Sequence, residues 1–243
     1  MKEQSLHDFH DSSKNIFTPT TFLPDDCWPK EWKTTYYKEY PRFESLELPK
    51  PEVNSKLSEL TSSRKSARTF GSRGLTLQEV SNLLQHIGGE FAHTDETVHR
   101  AQASGGGRYA IEMYPIIRFS QNSELQPGVH HYNVKSHSLE YLWPTTANNT
   151  KPEQLVRDQW AELASVHLLF TAVFWRSTNK YRNRAYRYIC MEAGAMLQNA
   201  YLYAADTGLN IVGYGGTNDD MVEKLLRLDG KNEVLISSCL IGA

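Results

Sequence analysis

The sequence predicts a single α+β domain over residues 55–243, preceded by an arm over residues 1–54. Three observations carry this. Stretches with helical and with strand-like hydrophobic period are present, but few βαβ units that would force a doubly wound sheet. A strand pair folds back around Lys135-Ser136-His137, the pattern of a hairpin. The 243 residues are 40% hydrophobic and 22% charged, the make-up of a globular protein, and a chain of this length buries roughly 70% of its unfolded surface in one core.

Each element follows from its own residues. Residues 1–54 set Pro19, Pro24, Pro29, Pro41, Pro49 and Pro51 beside Trp28, Trp32, Tyr36, Tyr37 and Tyr40. Proline interrupts helices and central strands, whereas disordered tails are poor in aromatics. The segment reads as irregular, either an extended arm packed on its own domain or a partner subunit, or a partly ordered leader. Leu57 and Leu60 mark a short helix before Arg64. Thr76-Leu77-Gln78-Glu79 is a capping box, Val80, Leu83, Leu84 and Ile87 follow at helical spacing, and Gly88-Gly89 ends the helix. Met113–Phe119 is a strand, and Val129–Val134 with Ser138–Leu142 is the hairpin. Pro152 opens a helix carrying Leu155, Trp160 and Leu163. Val166–Trp175 is apolar and rich in β-branched and aromatic residues, a buried strand.

Residues 184–207 form the longest helix, with Ala185, Ile189, Ala193, Met196 and Ala200 among its apolar positions. Glycine costs a helix about 1 kcal/mol against alanine, so Ala193-Gly194-Ala195 implies close approach by a neighbouring helix. Gly208 is a natural residue to end it. Leu209–Val212 is a short strand, 213–216 a glycine-rich loop, and Asn218-Asp219-Asp220 starts a helix with acids at its positive end, running to about Leu228. Val234–Ile241 is the last strand. There is no internal repeat.

Composition excludes several function classes. A formal net charge of -2 gives no basic field for nucleic acid or an anionic membrane. No stretch approaches the ~20 apolar residues of a spanning helix, and the first fifteen residues lack the apolar core of a secretory signal. The expectation is a cytoplasmic protein. Cys27, Cys190 and Cys239 are far apart and odd in number, which reads as free buried thiols. His130 and His131 are adjacent on a strand and point to opposite faces, so no metal site is expected.

Four clusters can carry chemistry. Arg64-Lys65-Ser66-Ala67-Arg68 sets three cations and a hydroxyl within five residues, suited to a phosphate, although such runs are more often solvated turns. Ser104-Gly105-Gly106-Gly107-Arg108-Tyr109 lets backbone lie flat against a ligand, but is neither a Walker loop nor a dinucleotide fingerprint, and glycines alone favour a flexible loop. Lys180-Tyr181 offers a base and an acid, with Arg182, Arg184 and Arg187 making the local field positive; an exposed basic loop is the plainer alternative. Gly213-Tyr214-Gly215-Gly216 brings amides to a cofactor edge or makes a tight turn.

Their order along the chain resembles the nitroreductase superfamily, and within it the streptolysin- and microcin-type peptide dehydrogenases. Residues 64–70 are similar to the flavin-phosphate segment that opens such domains. Ser104–Tyr109 followed by Glu112 resembles a Ser-x-Gly-Gly-x-Tyr-Pro-x-Glu stretch, and Gly128–Tyr132 with Ser138-Leu139-Glu140 resembles the hairpin after it. Lys180-Tyr181, then Arg184–Arg187, Glu192-Ala193-Gly194 and Gln198-Asn199, resembles the Lys-Tyr motif and its helix, the most specific part of the match. Gly215-Gly216 with Asp219 and Leu225-Leu226 resembles the flavin-edge loop. The likeness runs from about residue 40 to the end. It departs at Ala103, Ala110 and Ala185, where the family often has Pro, Pro and Gly, and no cation follows Lys231.

The resemblance implies an α+β nitroreductase-like fold, a central mostly antiparallel sheet with flanking helices, forming a homodimer with FMN at the interface. FMN would rest on Arg64, Lys65, Ser66, Arg68, Ser104, Gly105, Gly106, Arg108, Gly215 and Gly216. The implied activity oxidises thiazoline or oxazoline rings of a ribosomally made peptide to thiazole or oxazole, with a cyclodehydratase partner making the azoline. Lys180 or Tyr181 takes the acidified ring proton and the other holds the base or the substrate carbonyl. Two other readings stay open: a general NAD(P)H-dependent nitro or quinone reductase, and a flavin-free scaffold subunit.

Overall fold

The computed structural model describes residues 6–15, 27, 29–51, 54–93, 98–121 and 124–243. In chain order the elements are α1 (Leu6–Ser13), α2 (Lys30–Lys33), α3 (Lys56–Ser63), α4 (Leu77–Gly88), β1 (Glu90–His93), β2 (Val98–Arg100), β3 (Ile111–Ile117), β4 (Gly128–Asn133), β5 (Ser138–Trp143) and β6 (Val166–Val173). Then come α5 (Trp175–Tyr181), α6 (Ala185–Thr207), β7 (Asn210–Gly213), α7 (Asp219–Leu226) and β8 (Glu233–Gly242). Six strands form one sheet in the order β5-β4-β3-β6-β8-β7, every neighbouring pair antiparallel, and β1 and β2 make a separate hairpin.

The most apolar run of the sequence becomes the inner strand β6, buried on both faces. Successive side chains point to opposite faces, so Leu168 and Phe170 join a core under α4 and α6, while Leu169 joins a second core with Leu155, Val222 and Leu225. The sheet is thus covered on one face by α4 and α6 and on the other by α7 and irregular turns.

The capping box forms. Thr76 Oγ1 accepts from the Glu79 amide at 3.2 Å, and Glu79 Oε2 accepts from the Thr76 amide at 2.8 Å. Arg73 grips both Glu79 oxygens at 2.9 Å, and this pulls the carboxyl down to about 2. The close approach between α4 and α6 is made by Gly88. A Cβ there would lie 2.8 Å from Met196 Cε and 2.9 Å from Met113 Cε. Gly194 points outward with open space at its Cβ position, so no helix among the described residues explains it.

Several expectations are corrected. No continuous helix follows Pro152. Two separate 3-10 turns, Pro152–Gln154 and Gln159–Leu163, replace it. The stretch between them is pinned down: Val156 bridges Thr217, and the amides of Arg157 and Asp158 both donate to the Tyr214 hydroxyl at 3.0 Å. The strand expected over Val166–Trp175 stops at Val173, because Phe174 turns into the core and Trp175, exposed, begins α5. The β1–β2 hairpin has no counterpart in the sequence reading. Of the three free thiols only Cys239 is buried; Cys27 and Cys190 are exposed.

The first 54 residues are not irregular throughout. In α1, Leu6 and His10 are buried, the His10 ring stands edge-on to Phe174 and the Phe9 ring edge-on to Tyr186. Lys14 Nζ then meets Glu223 at 2.7 Å, which docks α1 against α7. Residues 29–51, where described, are exposed along their length, with Tyr37 at 84% and Leu46 at 89% of their free surface. Pro19, Pro24 and Trp28 lie outside the described residues.

Candidate functional site

The sequence-selected residues gather in two groups along α6. The first lies near its start. Gly105–Gly107 make one tight turn, with Gly106 at φ +65° and Gly107 at φ +62°, conformations that glycine adopts without penalty. The turn is fixed from below by Glu192, 3% exposed. Glu192 accepts from Ser104 Oγ at 2.6 Å, from the amides of Ala110 and Ile111 at 3.3 and 3.4 Å, and from Gln102 Nε2 at 3.4 Å. Burial raises its affinity for a proton although these donors oppose the shift. Ser104 Oγ in turn accepts from the Tyr109 amide at 2.8 Å.

Lys180 and Tyr181 sit at the end of α5, not in a loop, and they meet this turn. A Cβ on Gly106 would collide with Tyr181 Oη and lie 3.1 Å from Lys180 Nζ. Lys180 Nζ stands 5.2 Å from the Tyr181 ring centre, and Tyr188 of α6 packs edge-on to Tyr181 at 4.8 Å. Two non-glycine residues flank the pair in the left-handed region, Tyr109 at φ 46° and Arg182 at φ 48°. Such positions cost about 1–3 kcal/mol each and are held where surrounding contacts over-determine them. The result is an amine and a phenol packed on the Gly106 backbone, two groups able to move or hold a proton.

The second group lies near the other end of α6. Residues 64–70 run along the β7 edge, with the Ala67 amide donating to Ile211 O at 2.8 Å. This leaves the side chains of Arg64, Lys65, Ser66 and Arg68 exposed. Tyr201 of α6 joins them to the 213–216 loop. Its hydroxyl is 2.9 Å from Ser66 Oγ and accepts from the Gly213 amide at 2.7 Å, and the Arg64 guanidinium lies 5.2 Å from its ring centre. Gly215 is exposed with open space at its Cβ position, whereas Gly216 is tight against the Tyr214 phenol. Three cations, a hydroxyl and a bare backbone fit the phosphate and edge of a nucleotide cofactor.

The loop is braced twice. Beneath it runs a buried chain from His167 Nε2 to Thr217 Oγ1 (3.2 Å), to Ser238 Oγ (2.7 Å), which donates to Tyr214 O (3.0 Å). Burial holds the His167 ring neutral, down to about 3. From outside, Asn15 Nδ2 donates to Gly215 O at 2.8 Å and to Thr217 O at 2.9 Å, and the Asn15 amide donates to Asp219 Oδ2 at 3.1 Å. Glu192 and Tyr201, nine positions apart on α6, separate the two groups by roughly 14 Å along the helix.

Arg108 stands apart from both groups. Its Nε donates to Arg176 O at 2.8 Å, and its side chain faces a different cavity. His131 is satisfied by two carboxylates, bridging Glu112 and Glu140 at 3.1 and 2.8 Å. Sequence reasoning missed Tyr201, Asn15 and the bracing role of Glu192. An acid between Ile189, Ala193 and Met196 was a readable signal; nothing in sequence marked Asn15. Among the described residues no three His, Cys, Asp or Glu side chains are placed to share a metal, and no helix is long and apolar enough to cross a membrane.

Comparison with known proteins agrees with this architecture. The Escherichia coli microcin synthetase McbBCD complex, solved with truncated pro-MccB17 bound, contains a chain that superposes with a TM-score of 0.74 at 24% identity, over 97% of this chain and 90% of that one. The microcin B17-processing protein McbC of Escherichia coli is 36% identical over 163 residues, 64% of this chain and 57% of McbC. The trifolitoxin-processing protein TfxB of Rhizobium leguminosarum bv. trifolii is 29% identical over 157 residues, 61% of this chain and 40% of TfxB. This chain therefore matches about half the length of those two relatives. The nitroreductase family model matches residues 61–243, which hold the whole sheet and both groups of site residues apart from Asn15. The chain belongs to the nitroreductase family.

Proposed function

We propose that this protein is an FMN-dependent azoline dehydrogenase that oxidises thiazoline or oxazoline rings of a ribosomally made peptide. The observation that carries the reading is the meeting of Lys180 and Tyr181 with the Gly106 backbone, beside a buried Glu192 that fixes the loop. Similarity to McbC and TfxB supports a peptide substrate. FMN would be held by Arg64, Lys65, Ser66 and Arg68 at its phosphate and by the Gly215-Gly216 backbone and the Ser104–Gly106 turn toward its ring; Arg108, tied to Arg176 O, faces away from this set. Bound there, FMN supplies a two-electron oxidant for a ring carbon.

The ring proton of an azoline is acidified by the adjacent C=N and carbonyl. Lys180 and Tyr181 are the groups placed to take it, one as base and the other holding the base or the substrate carbonyl. The missing side chain of Gly106 leaves the space that the Tyr181 hydroxyl and the Lys180 amine occupy. A homodimer in the cytoplasm, working beside a cyclodehydratase that makes the azoline, completes the reading. Its support is the outward-facing Gly194 on α6 and the exposed Trp32, Tyr36, Tyr37, Tyr40 and Phe43, aromatic surface that a partner could cover.

The test starts with the absorption spectrum of the purified protein and the mass of the released chromophore, followed by azoline oxidation monitored by the two-dalton loss per ring. Bound FMN with oxidation lost in K180A supports the assignment. FMN with steady NAD(P)H turnover on quinones and no azoline oxidation replaces it with a general reductase. No flavin after reconstitution leaves a scaffold subunit.

A further inference from the structure

A cavity of about 620 Å³ opens beside Gly107 of the glycine turn, between the β1–β2 hairpin, β3 and the β4–β5 hairpin. Four cations line it, Arg100, Arg108, Lys135 and Arg176, against two carboxylates, Glu90 and Glu112. Glu112 is already neutralised: Arg176 Nη1 and His131 Nε2 both bind it, and although burial acts upward, these partners hold the carboxyl below its usual range. His131 bridges Glu112 and Glu140, which raise its affinity for a proton.

The remaining cations have no ion-pair partner among the described residues. Arg100 is held flat on the Tyr109 ring, 4.7 Å from its centre, and its Nε is buried without a hydrogen-bond partner. The Nε of Arg108 is used by Arg176 O, which orients the guanidinium and leaves its terminal nitrogens to the cavity. Lys135 projects from the exposed hairpin turn. Like charges brought together repel, and the two carboxylates lining the cavity, Glu90 and Glu112, are fewer than its four cations. A bound anion relieves this repulsion. Between the cations the walls are apolar, made by Val98, Val134 and the Tyr109 ring.

We propose that this cavity is a binding site for an acidic peptide segment, whose carboxylates are received by Arg100, Arg108 and Lys135 and whose backbone lies against Val98, Tyr109 and Val134. The cations come from three separate elements, which suits carboxylates spaced along a chain better than a single phosphate. That the ligand is a peptide rests on the proposed function; that the site takes anions rests on the cations alone.

The experiment is calorimetric titration of the full chain, without azoline, using the acetylated amide of Gly-Glu-Gly-Glu-Gly and its Gln-for-Glu counterpart, at low and moderate salt. The expected result is saturable binding of the acidic peptide, at least tenfold weaker for the glutamine peptide, tenfold weaker in R100Q and several-fold weaker in K135Q. Lys135 is exposed in a turn, so K135Q reads the site even where R100Q perturbs folding. Equal binding of both peptides, or binding unchanged in K135Q and R100Q, overturns the proposal. Displacement of the peptide by an equal concentration of inorganic phosphate also overturns it, because the site is then a general anion site. Azoline oxidation is measured separately, so failure of the enzymatic reading leaves the binding result standing.

Discussion

Replacing Gly106 by alanine tests the central contact of the site. The added methyl has two separable consequences. At φ +65° an L-residue occupies the left-handed region, which costs roughly 1–2 kcal/mol. For a chain of this size that corresponds to a fall in Tm of about 2–8 °C. The methyl also collides with Tyr181 Oη and comes within 3.1 Å of Lys180 Nζ, so the phenol must move by an ångström or more. Misplacing a reacting group by about 1 Å costs on the order of a hundredfold in rate. Gly107 supplies the control. It has nearly the same backbone angle, φ +62°, but nothing within 4 Å of its Cβ position. G106A and G107A are therefore expected to lose similar Tm, while only G106A loses kcat for azoline oxidation, counted per bound FMN, by about a hundredfold. A G106A enzyme whose kcat stays within threefold of G107A refutes a reacting role for Tyr181 at this patch.

Three further outcomes follow from the same contacts. Y201F removes the hydroxyl that serves both Ser66 and the Gly213 amide, a loss of about 1 kcal/mol or more that weakens FMN roughly fivefold in a fluorescence-quench titration; unchanged affinity shows that the two segments are held without it. E192A strands Ser104 Oγ and the amides of Ala110 and Ile111, and a buried deletion of this kind is expected to lower stability by about 3 kcal/mol in urea unfolding, with E192Q recovering part of it. Asp219 is pushed by burial from 3.8 up to about 6, so the folded state binds its proton more tightly than the unfolded state does. Its contribution is full below about pH 4 and is lost as the pH rises through 6, so the stability of wild type relative to D219N should fall over that interval and be level above it; parallel profiles from pH 4 to 7 contradict this.

What was legible in the sequence was local chemistry with a fixed spacing. The Thr76–Glu79 box and the α4 stripe depend on positions three and four apart, and both appear as read. The β4–β5 hairpin depends on alternation around one turn, and it too is present. What failed depended on partners distant in sequence. A helix after Pro152 satisfied local preference, yet Val156 is drawn to Thr217 and the neighbouring amides to Tyr214, about sixty positions away, which breaks the run into turns. Lys180 and Tyr181 were visible as residue types; that Gly106 lies against them was not, because the contact spans more than seventy positions. Tyr201 looked like one more aromatic on a long helix. Its role comes from its hydroxyl, which bonds a strand-edge segment and a loop that only the finished fold brings together.

The two groups of site residues are separated by roughly 14 Å but depend on one element. Glu192 fixes the glycine turn and Tyr201 fixes the segment 64–68 to the Gly213 loop, and both project from α6. A 23-residue helix buried by α4 on one side is a stiff ruler, so the distance between the two groups is set by helix rise rather than by flexible connections. Placing polar groups at these positions has a thermodynamic cost, since an apolar residue at 192 would suit the core better. That cost is offset only if Glu192 keeps its donors, which requires the glycine turn to hold its shape. Order at the turn and order in the helix are then the same condition. Asn15 extends it to the arm. By holding the carbonyls of Gly215 and Thr217, Asn15 couples the 213–217 loop to the docking of α1, about two hundred positions upstream.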